Sequence, residues 1–222
     1  MLRLSFMSVI FVLVAACASA TGKPSFPAKT SDGMVLVPNS KVAAFYLKPG
    51  ADLSQYDKIA LLETYVAFAK HWQQNYNETA TFQDQVSDKD MKTIRGNVAK
   101  EFASEMTKVL STEDGRKMVS AGGTGVLILR PAIINLEITA PDLMTPGMSE
   151  TYVASAGSMT LYMELFDGKT GDMIGKIIDP EAEDDVGMMQ ISDSVTNTAD
   201  FDRIVKRWAQ ILNGHLAQVS KN

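Results

Sequence analysis

The segment from Met159 to Ile178, MTLYMELFDGKTGDMIGKII, decides the fold of this chain. Its first half alternates apolar with more polar residues, and this period of two indicates a half-buried strand. Residues 167–171, DGKTG, supply the small and polar residues that a tight turn needs, and the apolar residues after them form the return strand. The segment therefore predicts a β-hairpin.

Two further apolar segments predict the strands that accompany the hairpin. Residues 126–139 read VLILRPAIINLEIT, a long strand interrupted by Pro131. Because proline removes one ladder donor, we expect an edge position, a bulge or a sharp bend there. Residues 58–68, KIALLETYVAF, alternate in part and predict a first strand or a strand pair. We expect loops at residues 140–152 and 179–195.

Two amphipathic helices complete the predicted fold. Ser87 and Asp90 form a capping-box-like start for the first helix, whose apolar residues recur at helical spacing to about residue 111. Thr198 can cap the second helix, whose apolar stripe covers residues 201–216. The element order β-α-β-β-β-α predicts an α/β (α+β) single domain, in which two amphipathic helices pack on a mixed sheet.

The composition fits one folded domain. The chain has 222 residues, of which 45% are hydrophobic and 21% are charged. This is enough apolar material for a packed core, which excludes a disordered chain and a polytopic membrane protein. The net charge of −5 argues against a nucleic-acid partner, because phosphate neutralisation needs a basic face.

Residues 1–16 predict a lipoprotein signal peptide. One positive charge precedes an apolar run that is too short to span about 30 Å of hydrocarbon. The run ends in Val14-Ala-Ala-Cys17, which resembles the bacterial lipobox, where diacylglycerol is transferred to the thiol and the chain is cleaved before the cysteine. Residues 18–20, ASA, fit ordinary secretory cleavage instead, and a retained anchor is the third alternative.

The expected organisation is a signal peptide at residues 1–16, a polar tether at 17–41 and a single α/β domain at 42–219. Cys17 is the only cysteine in the sequence, so the domain has no internal disulfide. Lipid on Cys17 would provide the contact with the membrane. Ala18 at the second mature position resembles lipoproteins of the outer membrane, so we expect a lipid-anchored protein on the periplasmic side of the cell envelope.

The motifs do not indicate a catalytic or metal site. Residues 168–170, GKT, resemble the tail of a phosphate-binding loop, but position 163 is methionine where that motif needs glycine. His71 and His215 have no histidine or cysteine partner at the spacing of a metal site. We therefore expect no catalytic residues, no cofactor and no metal.

Carboxylates leave two alternatives open. Glu164, Asp167 and Asp179 could serve an envelope hydrolase that works with paired acids. The acidic residues from 179 to 185 could offer oxygen ligands to Ca²⁺ or help to bind a small ligand, although a solvated loop is the interpretation that we favour.

Trp72, Tyr76 and Phe82 are the best candidates for a binding surface. They lie in an aperiodic segment, residues 71–86, which we expect to be a loop, and glutamine and asparagine residues surround them. Aromatic and amide side chains on a loop could bind a partner protein or a glycan, or they could pin the loop to the domain.

Three sequence phrases carry a family resemblance. They are YLKPGADLSQYD at residues 46–57, LFDGKTGD at 165–172 and the Trp208-Ala209 pair in the last helix. Together, and behind a lipobox, they resemble the bacterial lipoproteins of domain-of-unknown-function family 3313 over nearly the whole mature chain. The resemblance implies an exported α/β domain with no known activity. We therefore expect a non-enzymatic binding or accessory protein in envelope assembly or transport, with an envelope protein as its partner.

Overall fold

A computed structural model describes residues 25–112, 116–140, 155–182 and 194–218. Cys17, the predicted signal peptide, most of the predicted 140–152 loop and the acidic residues 183–185 lie outside these ranges.

Within the described ranges the chain forms an open, mixed eight-stranded sheet and three helices. The sheet order is β1-β2-β8-β7-β6-β3-β5, and β4 also pairs with β6. This architecture confirms the mixed α/β single domain. The strands are β1 (Val35–Leu36), β2 (Ala44–Leu47), β3 (Lys58–Leu61), β4 (Tyr65–Phe68), β5 (Lys117–Met118), β6 (Val126–Ala140), β7 (Ser155–Asp167) and β8 (Met173–Ala182), and the helices are α1 (Trp72–Thr79), α2 (Asp88–Thr112) and α3 (Ser194–Gln218).

The predicted hairpin is formed by β7 and β8, which pair antiparallel. The GKT sequence lies in its turn, where a side chain on Gly168 would place a Cβ atom only 2.6 Å from the carbonyl oxygen of Val126. Alternate residues of β7 point into the core beneath α2 and α3, and each is at most 1% exposed. These residues are Met159, Leu161, Met163 and Leu165.

Pro131 explains why the first predicted strand is a pair. The amide of Leu62 donates to the carbonyl of Leu129 at 2.9 Å, and both β3 and β4 run parallel to β6. In a parallel ladder the residue that would then donate to the Leu62 carbonyl is Pro131, which has no N–H. β3 therefore stops at Leu61, and β4 begins at Tyr65 farther along the same edge of β6.

Both predicted amphipathic helices are present. The amide of Ser87 donates to the Asp90 carboxylate at 2.9 Å, and the amide of Asp90 donates to the Ser87 hydroxyl at 3.3 Å, which confirms the capping box at the start of α2. α3 begins at Ser194, four residues before the predicted cap Thr198. Among the described residues, no helix has the length and apolarity that a bilayer crossing requires.

The loop predicted for residues 71–86 is wrong where α1 forms. The helix is only eight residues long, rich in glutamine and asparagine, and preceded by His71 with φ 63° and no side-chain cap. Isolated helices of this length are unstable in water. No local signal could mark α1, because contacts with the rest of the domain stabilise it.

The loop predicted from residue 179 is also wrong at its start, because β8 continues to Ala182. Asp179 and Glu181 are 5% and 9% exposed, and both pair with Arg207 of α3. A solvated loop at these two positions is therefore excluded. The negative charges suggested a solvent-exposed loop, but Arg207 of α3 neutralises the carboxylates of both residues.

The domain begins before the predicted boundary at Val42. Within residues 25–41, which were expected to belong to the tether, Phe26, Met34 and Leu36 pack on the sheet face opposite the helices, and Val37 packs against the main core. Met34 is 2% exposed, and the hydroxyl of Tyr46 donates to the carbonyl of Pro27 at 2.8 Å. These contacts leave residues 17–24 as the part of the predicted tether that precedes the described domain.

Candidate binding groove

A groove of about 740 Å³ lies between the end of the sheet and α2. One wall is the continuous segment from Glu63 to Phe68, which contains β4. The other wall is one face of α2, formed by Met91, Arg95, Gly96 and Ala99. The volume lies within the range of roughly 300–1,000 Å³ that is typical of ligand sites.

The strand wall of this groove is an unpaired sheet edge. β4 pairs with β6 on one side, and in the described part of the chain no strand pairs with its other side. The Ala69 amide donates to the Leu136 carbonyl of β6 at 2.9 Å, so strand alternation places the backbone N–H and C=O groups of Tyr65 and Ala67 toward β6 as well. The backbone groups of Thr64, Val66 and Phe68 then face away from β6, toward the groove. An unpaired edge of this kind is a template for strand addition.

The groove also contains polar groups without protein partners. Within the described ranges, Glu63 and Arg95 are exposed and make no ion pair. Thr64 is 5% exposed, and its hydroxyl oxygen has no hydrogen-bond partner among the described residues. Gly96 leaves the helix wall open, since a Cβ atom added there would meet nothing within 4 Å.

Of the three aromatic residues proposed from the sequence, Trp72 is buried. It is 7% exposed, and its indole N–H donates to the carbonyl of Ile138 at 3.2 Å. Its ring stacks on Phe68, a groove residue, at 4.6 Å and on Tyr76 at 5.4 Å between centroids. Trp72 therefore supports the strand wall from behind. It is not accessible to a partner.

Tyr76 is half-buried, whereas Phe82 is 91% exposed. Phe82 lies between α1 and α2, in a segment that the amides of α1 hold in place. The side chain of Asn77 exchanges two hydrogen bonds with the backbone of Val86, at 2.9 and 2.8 Å, and Gln73 donates to the same carbonyl at 3.0 Å. Two of the amides that suggested a binding surface, Gln73 and Asn77, are thus used inside the fold, and of the three aromatic residues Phe82 stays the surface candidate.

Comparison with known proteins decides the family. The family model described as "Protein of unknown function (DUF3313)" matches residues 30–212. The chain belongs to the DUF3313 family. The match confirms the resemblance to this family, whereas Cys17 and the predicted lipobox lie outside the matched residues.

No curated protein matches this DUF3313 chain. Among solved structures it is similar to the dodecamer of a point variant of PelC from Paraburkholderia phytofirmans, with 14% identity and a TM-score of 0.38 over 76% of this chain and 93% of that one. It is also similar to the PelC dodecamer from the same organism, with 10% identity and a TM-score of 0.35 over 73% and 96%.

The three carboxylates of the hydrolase alternative do not converge in the DUF3313 domain. Glu164 pairs with Arg130 on the sheet face away from the helices. Asp179 is on the opposite face and accepts from the indole N–H of Trp208 at 2.7 Å. Asp167 accepts two backbone amides of its own turn at 2.7 and 2.9 Å, which hold the pKa of its carboxyl below the ordinary value. Each carboxylate has a structural contact.

An acidic cluster joins the two long helices of the DUF3313 domain. Carboxylate oxygens of Glu101, Glu105 and Asp202 lie within 4.8 Å of one another, a ligand type that Ca²⁺ accepts. Burial and the two glutamates raise the pKa of Asp202 to about 6. The folded state therefore binds this proton more tightly than the unfolded chain. The contribution of Asp202 to the free energy of unfolding falls as the pH rises from 3.8 to about 6.

A second cavity, of about 590 Å³, lies between residues 37–41 and the last turns of α3. Its lining includes Arg207, Gly214 and His215. Arg207 already pairs with two carboxylates, and the His215 ring packs edge-on against Phe45 at 4.7 Å. Burial lowers the pKa of His215, so its imidazole is neutral at pH 7. Arg207 and His215 are therefore engaged inside the fold, whereas Glu63, Arg95 and the Thr64 hydroxyl of the groove have no partner among the described residues.

Proposed function

We propose that this DUF3313 protein is a lipid-anchored binding protein of the bacterial cell envelope, which holds an envelope protein and catalyses no reaction. The observation that carries the proposal is the groove beside β4, where unpaired backbone groups lie next to Arg95, a cation without an ion pair among the described residues. The carboxylates of Glu164, Asp167 and Asp179 each make a structural contact, which supports binding over hydrolysis.

The anchor in this proposal is lipid on Cys17. Residues 14–17, VAAC, provide the small residues and the thiol that lipidation requires. A chain of net charge −5 is not attracted to anionic lipid headgroups, so the membrane contact depends on the acyl chains. Diacylglycerol supplies two chains, which is the number that stable anchoring requires. Residues 18–24 then connect the lipid to the described domain on the periplasmic face of the outer membrane.

Replacement of the anchor residue tests this part of the proposal. We expect the wild-type mature protein to begin at Cys17, to carry acyl chains in its intact mass and to sediment with membranes. Cys17→Ser loses the acyl mass and appears in the soluble fraction, because the thiol is the acceptor. Ser19→Ala, which keeps the lipobox, is the matched control and behaves like wild type. A mature wild-type chain that begins at Thr21 without lipid would overturn the anchor.

A further inference from the structure

We infer that the groove binds an extended peptide segment of the partner protein, which adds to the free edge of β4 as a new strand. This inference rests on the proposed binding function and deepens it by naming the chemistry of the occupant.

The first argument is the arrangement of backbone groups on the strand wall. Thr64, Val66 and Phe68 are two residues apart, and their backbone groups face the same side, away from β6. Together they offer three donors and three acceptors, the pattern that an incoming strand pairs with. The last bond between β3 and the β5 segment runs from the Val119 amide to the Ile59 carbonyl, at 2.8 Å. The described edge beyond that bond has no strand partner.

The second argument is the shape of the groove. Its strand wall has six consecutive residues, which correspond to roughly 20 Å of extended chain. The helix wall is lowest at Gly96 and Ala99, whose small side chains let a backbone approach between α2 and β4. A long groove with one wall of backbone groups fits an extended peptide, whose main chain supplies the affinity and whose alternate side chains supply the specificity.

The third argument concerns the side chains that the groove selects. On one face of an added strand, side chains would continue the row of Val66 and Phe68 and meet Met91, which favours apolar residues. Arg95 and Glu63 both line the groove without an ion pair in the described part of the chain, so Arg95 favours an acidic residue within reach and Glu63 favours a basic one. The preferred peptide thus alternates apolar and polar residues and carries at least one Asp or Glu.

Selection from a phage library of random 12-residue peptides tests the inference on the purified full-length protein in detergent. We expect enrichment of alternating sequences that contain an acid. Binding of a selected peptide should weaken at least ten-fold in Gly96→Leu, whose side chain fills the groove. Gly214→Leu is the matched control, because it is the same change at another helical glycine with nothing within 4 Å of an added Cβ, and it should bind like wild type.

The Gly96→Leu variant is expected to fold, since leucine has a higher helix propensity than glycine and the site is open. Its thermal midpoint, compared with wild type, verifies this. The selected peptide provides a second readout through N-methylation of its backbone. Methyl groups on every second residue, in the register that faces β4, should abolish binding, whereas the same number in the other register should be tolerated.

Three results would overturn the inference. The first is that no selected peptide binds wild type more tightly than Gly96→Leu. The second is that N-methylation weakens binding equally in both registers. The third is that the wild type is a dimer and Gly96→Leu is a monomer. The last result would assign the groove to a second copy of the chain. The proposed function fails if no envelope protein contacts the groove in cells. If an envelope protein contacts the groove in cells but the library yields no groove-dependent peptide, only the strand-addition inference fails.

Discussion

Replacement of Asp179 by alanine is expected to lower the free energy of unfolding by about 3–5 kcal/mol. The carboxylate is 5% exposed and accepts from the indole N–H of Trp208 at 2.7 Å, from the amide of Ala43 at 2.7 Å and from Arg207 at 3.0 Å. Alanine leaves the Trp208 indole N–H and the Ala43 amide without their acceptor, and an unsatisfied buried donor has a large desolvation cost. Urea denaturation at neutral pH measures the loss.

Two further variants control this prediction. Asp179→Asn keeps one acceptor oxygen and should lose less stability than alanine. Glu78→Ala, an exposed acid on α1, should stay within about 0.5 kcal/mol of wild type. A change for Asp179→Ala as small as that for Glu78→Ala would contradict the buried network between β8 and α3.

Trp72→Ala is expected to cost about 3–5 kcal/mol of stability, and Phe82→Ala less than about 0.5 kcal/mol. Trp72 is 7% exposed and stacks between two rings, so its removal leaves a cavity and an orphaned carbonyl at Ile138. Phe82 is 91% exposed and leaves no cavity. Thermal and urea unfolding of the two variants measure the difference.

The two variants distinguish Trp72, an aromatic residue that supports the fold, from Phe82, which lies on the surface. Because Trp72 holds Phe68 in the strand wall, Trp72→Ala should also weaken binding in the groove. Trp72→Phe keeps an aromatic ring and should recover part of the stability. Equal stability of the Trp72→Ala and Phe82→Ala variants would show that α1 is not anchored by stacking.

Local patterns in the sequence predict the hairpin and α2. The period of two along β7 and the reciprocal pair Ser87 and Asp90 need only residues that are close in the chain. α1 and the end of β8 depend on distant residues. Trp72 is buried against Ile138, and Asp179 meets Arg207, 28 residues later. No local pattern contains these contacts.

The groove could not be predicted either, because it arises from the placement of β3 and β4 along one edge of β6. One signal was visible in the sequence. Pro131 predicted an edge, a bulge or a bend, and its missing donor lies where β3 ends. The sequence does not show that α2 runs beside the free edge of β4, with Gly96 opposite it. That relation depends on the packing of the whole domain.

Photo-crosslinking in cells tests the central claim that this groove holds an envelope protein. Tyr65 is 65% exposed on the strand wall, so a p-benzoylphenylalanine side chain at this position samples the occupant with little change to the fold. We predict one discrete crosslinked species, which disappears in Gly96→Leu and persists in Gly214→Leu. The same species at full yield in Gly96→Leu would contradict the account, because the contact would then not depend on the groove.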